Sequence, residues 1–330
     1  MKSQNKAFTH RDCTDKHRIM QLKIGDVQLE SNIVFAPIAG FSEVGFRHMC
    51  AKYGAGLTYT ELVSAKGLCY GNKGTQELLA REDFSSPCAV QLFGSDPEFM
   101  YKAAKDERLA KFEIVDINMG CPVKKVFNNG DGSALMKNPD LITEIVQAVK
   151  EGAKRPVTVK MRAGVDSGKP VAVECALAAQ KGGASAVCVH PRYREQFYSG
   201  EADHSITKAV KEALDIPVIA NGDIIDLRSL AGVRDLTGAD GFMIGRGALG
   251  RPWIFSELNG GNGAHDVKAN IYEHIAVLRK YMCDFTVANV MKLQLCYYAK
   301  GGRDAKAVRV EIGKAKSIDD IFDIVEKYFA

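Results

Sequence analysis

Short apolar runs rich in Val and Ile punctuate the chain at residues 33–36, 57–60, 88–93, 114–118, 157–161, 186–190, 218–221 and 241–244. None shows the apolar–polar alternation of a strand with one wet face, so each predicts a strand covered on both sides, as in a parallel sheet. Between them, 44–53, 97–108, 139–152, 170–182, 205–214 and 227–236 have helical start and stop chemistry, with Asp, Asn, Ser or Pro near the beginning and often Gly at the end. Eight strand–helix units over about 225 residues are the count of an α/β fold of the (β/α)8 TIM barrel type. A doubly wound sheet would place a Gly-rich turn after its first strand, whereas here APIAGFSE follows. Past Trp253 the pattern changes. SELNGGNGAHD is a Gly/Asn-rich linker, and 274–285, 287–299, 304–315 and 318–328 carry apolar residues at three- and four-residue spacing. The expected division is a barrel over 1–255, with a short polar N-terminal arm, and a small all-helical C-terminal domain over 256–330.

Composition narrows the function classes. With 330 residues, 46% of them hydrophobic and 25% charged, disorder is excluded as the main state. The longest nearly unbroken apolar run, 33–41, is far short of the ~20 residues of a membrane span. Nine cysteines are scattered without a Cys-x-x-Cys pair, which fits neither a disulfide framework nor a zinc site, and no metal is expected. The start, MKSQNKAFTHRDCTDKHR, lacks the apolar stretch of a signal peptide, so a cytoplasmic setting is expected. A net charge of +4 does not by itself point to nucleic acid.

In a (β/α)8 barrel the active site forms at the C-terminal strand ends. There stand Pro37-Ile38-Ala39, Glu61, Gln91, Asn118 with Cys121, Lys160, His190 with Arg192 and Arg194, Asn221-Gly222-Asp223, and Gly245-Arg246. The last two clusters suit a phosphate, since glycines admit close backbone approach and Arg246 adds charge. GRGALG at 245–250 also satisfies the G-x-G-x-x-G pattern, but it closes a series of strands rather than opening a βαβ unit, which argues against a dinucleotide fold. Lys160 is either a surface lysine at a strand end or a cation facing an anionic ring. His190 is either a core histidine or part of that same cationic set. Cys121, between Gly120 and Pro122 and ahead of the loop NNGDGS, is a candidate nucleophile or proton donor. With an ordinary thiol pKa of roughly 8.5 it is mostly protonated at neutral pH.

These residues carry a resemblance. APIAGFSEVGFRHMCAKYGAGLTYTELVSA, VQLFGSDPE, VDINMGCPVKKVFNNGDGSALM, VTVKMRAG, VHPRYREQFYSGEADH, IPVIANGDI and GADGFMIGRGALGRPWIF together resemble the tRNA-dihydrouridine synthases, a family of FMN-dependent barrels, from about residue 33 to the end. The resemblance implies reduction of specific tRNA uridines to 5,6-dihydrouridine, with FMN as cofactor and NADPH or NADH as reductant. It implies that Pro37, Ile38 and Ala39 line one flavin face and that Gln91 and Lys160 meet the ring edge. His190, Asn221, Gly222, Asp223, Gly245 and Arg246 would hold the ribityl phosphate side. Cys121 would be the proton donor, Asn118 would orient the uracil, and Arg192 and Arg194 would contact substrate. The chain departs from the usual pattern at Ile38, where Met is common, at Phe41-Ser42-Glu43 in place of Val-Thr-Asp, and at Pro191 and Tyr193 in place of Gly and Thr. Pro191 lacks an amide N–H.

The tail fits an RNA-gripping role. Residues 292–316 hold seven Lys/Arg, Lys306 and Arg309 among them, against Asp304 and Glu311. Such a run is also what an ordinary solvated face presents. A uracil in folded tRNA must leave its stack to reach a barrel mouth, which gives that local basic density a use. The alternative within flavin barrels is a dehydrogenase acting on free pyrimidines, of the dihydroorotate or dihydropyrimidine type. No protein partner is implied, and a monomer is expected.

Overall fold

The computed structural model describes residues 21–83, 86–302 and 304–329. The polar N-terminal arm, Cys13 and Arg303 lie outside the described residues. A hairpin, β1 (Leu22–Ile24) and β2 (Val27–Leu29), precedes a sheet of eight parallel strands. These are β3 (Ile33–Phe35), β4 (Thr58–Ser64), β5 (Cys88–Phe93), β6 (Ile114–Met119), β7 (Val157–Gly164), β8 (Ala186–Tyr193), β9 (Val218–Asn221) and β10 (Gly241–Ile244). The sheet order is β3-β10-β9-β8-β7-β6-β5-β4. Backbone hydrogen bonds from Phe35 N to the Leu57 carbonyl and from Gly56 N to the Ile33 carbonyl, both 2.9 Å, bring its two ends together as a barrel.

Helices cover the outside: α1 (Val44–Lys52), α2 (Ala65–Cys69), α3 (Lys73–Glu77), α4 (Pro97–Ala104), α5 (Lys124–Asn128), α6 (Pro139–Ala153), α7 (Ala172–Gly182), α8 (His204–Ala213) and α9 (Leu227–Thr237). The tail holds α10 (Ile254–Leu258), α11 (Val267–Arg279), α12 (Asp284–Tyr298), α13 (Ala305–Lys314) and α14 (Ile318–Tyr328). Local chemistry sets their ends. In α6, Asn138 accepts from Leu141 N ahead of Pro139, which suits the first turn. In α9, Asp226 and Ser229 form a capping box, and Gly238 ends the helix with φ of 61°.

Strand positions follow a two-residue period with both faces buried. Val115, Ile117 and Met119 point out to the helices, while Asp116 and Asn118 share the other face with Thr158, Lys160 and Arg162 of β7. Neighbouring registers pair Gln91 with Asp116, Asn118 with Lys160, and Arg162 with His190. The opposite, N-terminal end of the barrel is packed by Leu22, Ile24 and Leu29 of the hairpin against Val34, Tyr59, Ala89, Ile114 and Ile219. That leaves the C-terminal strand ends as the open mouth.

Two helical expectations shift. The helix expected over 97–108 stops at Ala104, because the Asp106 carboxylate caps a separate 3-10 turn, Glu107–Leu109, by accepting from Arg108 N. The helix expected over 274–285 is the end of α11 and the start of α12, with a break at 280–283. Asp266, inside the presumed linker, caps α11 by accepting from Ala269 N at 2.9 Å. The tail shares one continuous core with the barrel: Phe35, Phe46, Ile254 and Phe255 pack with Ile271, Met291, Leu295 and Val325.

Candidate active site

A cavity of about 1030 Å³ opens at the strand ends, at the upper end of the ~300–1,000 Å³ that small-molecule sites occupy. Its walls include Pro37, Ile38, Ala39, Asn118, Cys121, Lys160, His190, Asn221, Gly222, Asp223, Gly245 and Arg246. Strand register accounts for this convergence, since these residues end adjacent strands.

One wall is cationic. The Lys160 ammonium donates to Asn221 Oδ1 at 2.9 Å, and Asn221 Nδ2 is anchored on the Met243 carbonyl at 2.8 Å. Burial pulls the Lys160 ammonium below the usual lysine range. Asp223 accepts from Arg192 Nη2 at 2.7 and 2.9 Å, from Arg246 at 3.1 Å and from Ala202 N at 2.8 Å. Burial alone would raise that carboxyl, but the Arg192 hydrogen bond, the Ala202 amide and Arg246 together hold it below the ordinary range. Burial and the neighbouring charges of Lys160, Arg162, Arg192 and Arg246 hold His190 well below the usual histidine range, so its ring is neutral. Arg192 Nη1 donates to His190 Nε2 at 3.1 Å, which places the ring proton on Nδ1. Gly222 makes this packing possible: at φ of 123° a Cβ would lie 3.0 Å from the His190 ring.

Beside this wall is the Cys121 loop, joined to it by Arg162 Nε donating to the Gly120 carbonyl at 2.8 Å. The backbone N–H of Cys121 donates to Asn118 Oδ1 at 2.9 Å, and the Ser133 hydroxyl donates to the Cys121 carbonyl at 2.8 Å. Burial pushes the thiol above the usual thiol range, against the opposing pull of the Val123 amide and Arg162. It is therefore a protonated acid at neutral pH.

Other residues singled out in the sequence lie behind the wall or away from it. Gln91 is fully buried, bonded to Asp116 and Asn118. Arg192 is buried beneath Asp223 and also donates to the Ser199 and Gly200 carbonyls. Arg194 lies 3.8 Å over the Phe127 ring, joining the segment after β8 to α5. Lys306 and Arg309 are exposed on α13. Among the described residues, no group of three or more His, Cys, Asp or Glu could hold a metal, and no helix is long and apolar enough to cross a membrane.

Several contributors were not picked out from the sequence. Arg162 lines the cavity two residues after Lys160 on the same strand face, a spacing that could have flagged it. Tyr198, Arg251 and Trp253 also line it. The Arg246 guanidinium sits 4.9 Å over the Tyr198 ring, and the Trp253 indole is stacked on His265 at 3.6 Å. The cavity continues to Val267, Tyr297, Tyr298 and Lys300, so barrel and tail share one recess.

Residues 34–319 match the family model described as dihydrouridine synthase. The chain belongs to the dihydrouridine synthase family. It is 37% identical over 317 residues to tRNA-dihydrouridine synthase B of Vibrio cholerae, covering 93% of this chain and 98% of the relative. It is 43% identical over 234 residues to tRNA-dihydrouridine synthase B of Pasteurella multocida, covering 71% and 70%. Among solved structures it is similar to histamine dehydrogenase from Rhizobium sp. 4-9, with a TM-score of 0.58 and 11% identity over 79% of this chain and 51% of that longer one. That likeness is one of fold. For a dihydrouridine synthase, the match spans barrel and tail together, so the recess they share belongs to one family unit.

Proposed function

We propose that this enzyme reduces uridines in tRNA to 5,6-dihydrouridine, with FMN as cofactor and NADPH or NADH as reductant. The observation that carries the reading is the pairing within one cavity of a cationic wall, Lys160 to Arg246, with a protonated thiol, Cys121, on the adjoining loop. The residues present fit an FMN phosphate and ring. Four cations, Lys160, Arg162, Arg192 and Arg246, act on His190, two of them, Arg192 and Arg246, paired with Asp223, and neutral His190 has an Nδ1–H to donate. A Cβ at Gly245 would meet only Ala36 and Ile38, each at 3.8 Å, so the bare backbone there leaves room for a ligand.

Pro37, Ile38 and Ala39 would cover one face of the ring, Lys160 would sit at its edge, and Asn221, Gly222, Asp223, Gly245 and Arg246 would hold the phosphate side. Bound FMN, once reduced, supplies hydride chemistry at C6 of the uracil. The chain's own task is to seat the base, exclude water and deliver a proton to C5. Cys121 does the last, as a buried acid that is protonated at neutral pH. Asn118 offers an amide N–H at the cavity wall to a base carbonyl. The basic stretch 292–316 grips the tRNA while the target base is flipped into the recess. The barrel over 1–255 carries the chemistry and 256–330 the RNA. Mass spectrometry of digested tRNA from cells lacking and regaining the protein tests this: dihydrouridine should disappear and return at defined positions. Unchanged dihydrouridine, or purified protein that releases no FMN on denaturation after reconstitution, overturns it.

A further inference from the structure

Beneath the cavity runs a line of buried side chains that touch neither solvent nor the cavity wall except at its last member. Asp116 lies on β6, under the site. Thr158 Oγ1 donates to its Oδ1 at 2.5 Å, and Gln91 Nε2 donates to its Oδ2 at 2.7 Å. Gln91 Oε1 accepts from Asn118 Nδ2 at 2.9 Å. Asn118 Oδ1 accepts from the backbone N–H of Cys121 at 2.9 Å and of Gly120 at 3.2 Å.

The direction of this relay is fixed at both ends. A backbone N–H can only donate, so Asn118 must turn its oxygen to Cys121 and its nitrogen to Gln91. An ionised carboxylate can only accept, so Gln91 must turn its nitrogen to Asp116 and its oxygen to Asn118. Both constraints select the same orientation of both amides. An apolar residue at 116 would remove one anchor and leave the Gln91 N–H without a partner in a fully buried position. The remaining Asn118 N–H is left for the cavity, which Asn118 lines.

We infer that Asp116 is a positioning residue for the reaction: acting through Gln91 and Asn118, it holds the Cys121 backbone, and with it the thiol, in place at the cavity wall. The inference rests on Cys121 as proton donor, but its test reads the position of the thiol and not its role in turnover.

The experiment measures alkylation of Cys121 in the flavin-loaded enzyme by iodoacetamide across pH, resolved from the other cysteines by peptide mass spectrometry. Asp116→Ala should raise the alkylation rate severalfold, and saturating-tRNA turnover should fall roughly ten- to hundredfold with little change in KM. Asp116→Asn can present its oxygen to Gln91 and its nitrogen to Thr158, so it should restore the wild-type alkylation profile. Asn118→Ala cuts the last link and should produce the same rise, and adding Asp116→Ala to it should produce no more. An Asp116→Asn protein that behaves like the alanine variant, or additive effects of the two alanines, overturns the inference. So does an unchanged Cys121 profile in Asn118→Ala, which decides the matter even if Asp116→Ala does not fold. Loss of dihydrouridine synthesis in Cys121→Ala, or its survival, bears only on the proton-donor assignment.

Discussion

Arg162 Nε donates to the carbonyl of Gly120 at 2.8 Å, one residue before the candidate proton donor. From the same guanidinium, Nη1 donates to the Tyr193 carbonyl at 3.1 Å and the Phe197 carbonyl at 3.0 Å. One buried cation thus ties the Cys121 loop to the segment carrying Tyr198. Phe197 has φ of 50°, a left-handed conformation costly for an aromatic residue and held here by that bond. Lysine cannot form the three-way fork. Arg162→Lys should therefore lose about 3 kcal/mol of stability. Its turnover should drop more than tenfold while tRNA affinity stays near wild type, read by urea denaturation and single-turnover kinetics.

The Cys121 thiol must carry its proton to serve as an acid, and burial raises it above the usual thiol range. Turnover should be flat through neutral pH and decline only above the ordinary thiol value of about 8.5. Cys121→Ala should retain FMN and tRNA yet lose about 10²–10⁴ in the rate of dihydrouridine formation. In Cys121→Ser the alkaline decline should vanish from whatever rate remains. Stopped-flow oxidation of the pre-reduced enzyme by tRNA, followed at several pH values, measures both.

How far the sequence revealed these groups depends on the reach of each signal. Strands at Cys88–Phe93, Val218–Asn221 and Gly241–Ile244 match the apolar runs to the residue, because burial on both faces leaves a nearly continuous apolar signature broken only by Gln91 and the terminal Asn221. β7 and β8 run longer than expected, to Gly164 and Tyr193, since Arg162 and Arg192 look like the end of an apolar run yet are buried by partners distant in the chain. The hairpin at Leu22–Leu29 leaves no such mark in the sequence, because three-residue strands carry almost no period. Asp116 was hidden for a related reason. A lone acid inside an apolar run has no meaning until Gln91, from another strand, is beside it.

Asp116 also gives stability a pH dependence. Burial raises its carboxyl to about 6, against the opposing hydrogen bonds of Thr158 and Gln91. The folded value lies above the unfolded value of about 3.9, so the folded state holds the proton more tightly. Its contribution to stability is full below about pH 4 and is lost as pH rises through about 6. Relative to Asp116→Asn, wild type should lose up to a few kcal/mol across that window. Urea midpoints of the two proteins at matched pH values test the sign. A difference that grows in favour of wild type as pH rises contradicts the burial argument.

The basic stretch makes a separate prediction about salt. Lys306 and Arg309 are exposed on α13, which begins four residues past Gly301 at the cavity rim. Contacts to phosphate release counterions, so each one removed should flatten the slope of log affinity against log salt by roughly 0.7–0.9. Lys306→Gln with Arg309→Gln should therefore weaken tRNA binding most at low salt, while reduction of the flavin by the nicotinamide cofactor is unaffected. Filter binding across salt concentrations reads the first effect and stopped-flow absorbance the second. An unchanged slope would make α13 an ordinary solvated face.

Glu43, one of the departures from the pattern usual in the resemblance, ties the barrel to the tail. Its carboxylate caps α1 by accepting from Gly45 N at 2.6 Å and from Phe46 N at 3.0 Å. It also accepts from His274 Nε2 at 2.7 Å and from Gln294 Nε2 at 3.1 Å, both on tail helices. The cap needs only a short acid, and Asp is the residue usual in the resemblance. The extra methylene lets one group cap the barrel helix and clasp α11 and α12 together. Glu43→Asp should keep the cap while weakening the clasp, at about 1–2 kcal/mol. Glu43→Ala leaves Gly45 N, Phe46 N and His274 Nε2 without this acceptor and should cost about 3–5 kcal/mol. The discriminating measurement is a double-mutant cycle with His274→Leu. A clasp predicts a coupling of about 1 kcal/mol or more for Glu43→Asp with His274→Leu, together with faster proteolysis within 259–266 in each single variant. Additive losses with an unchanged cleavage rate would reduce Glu43 to a helix cap alone.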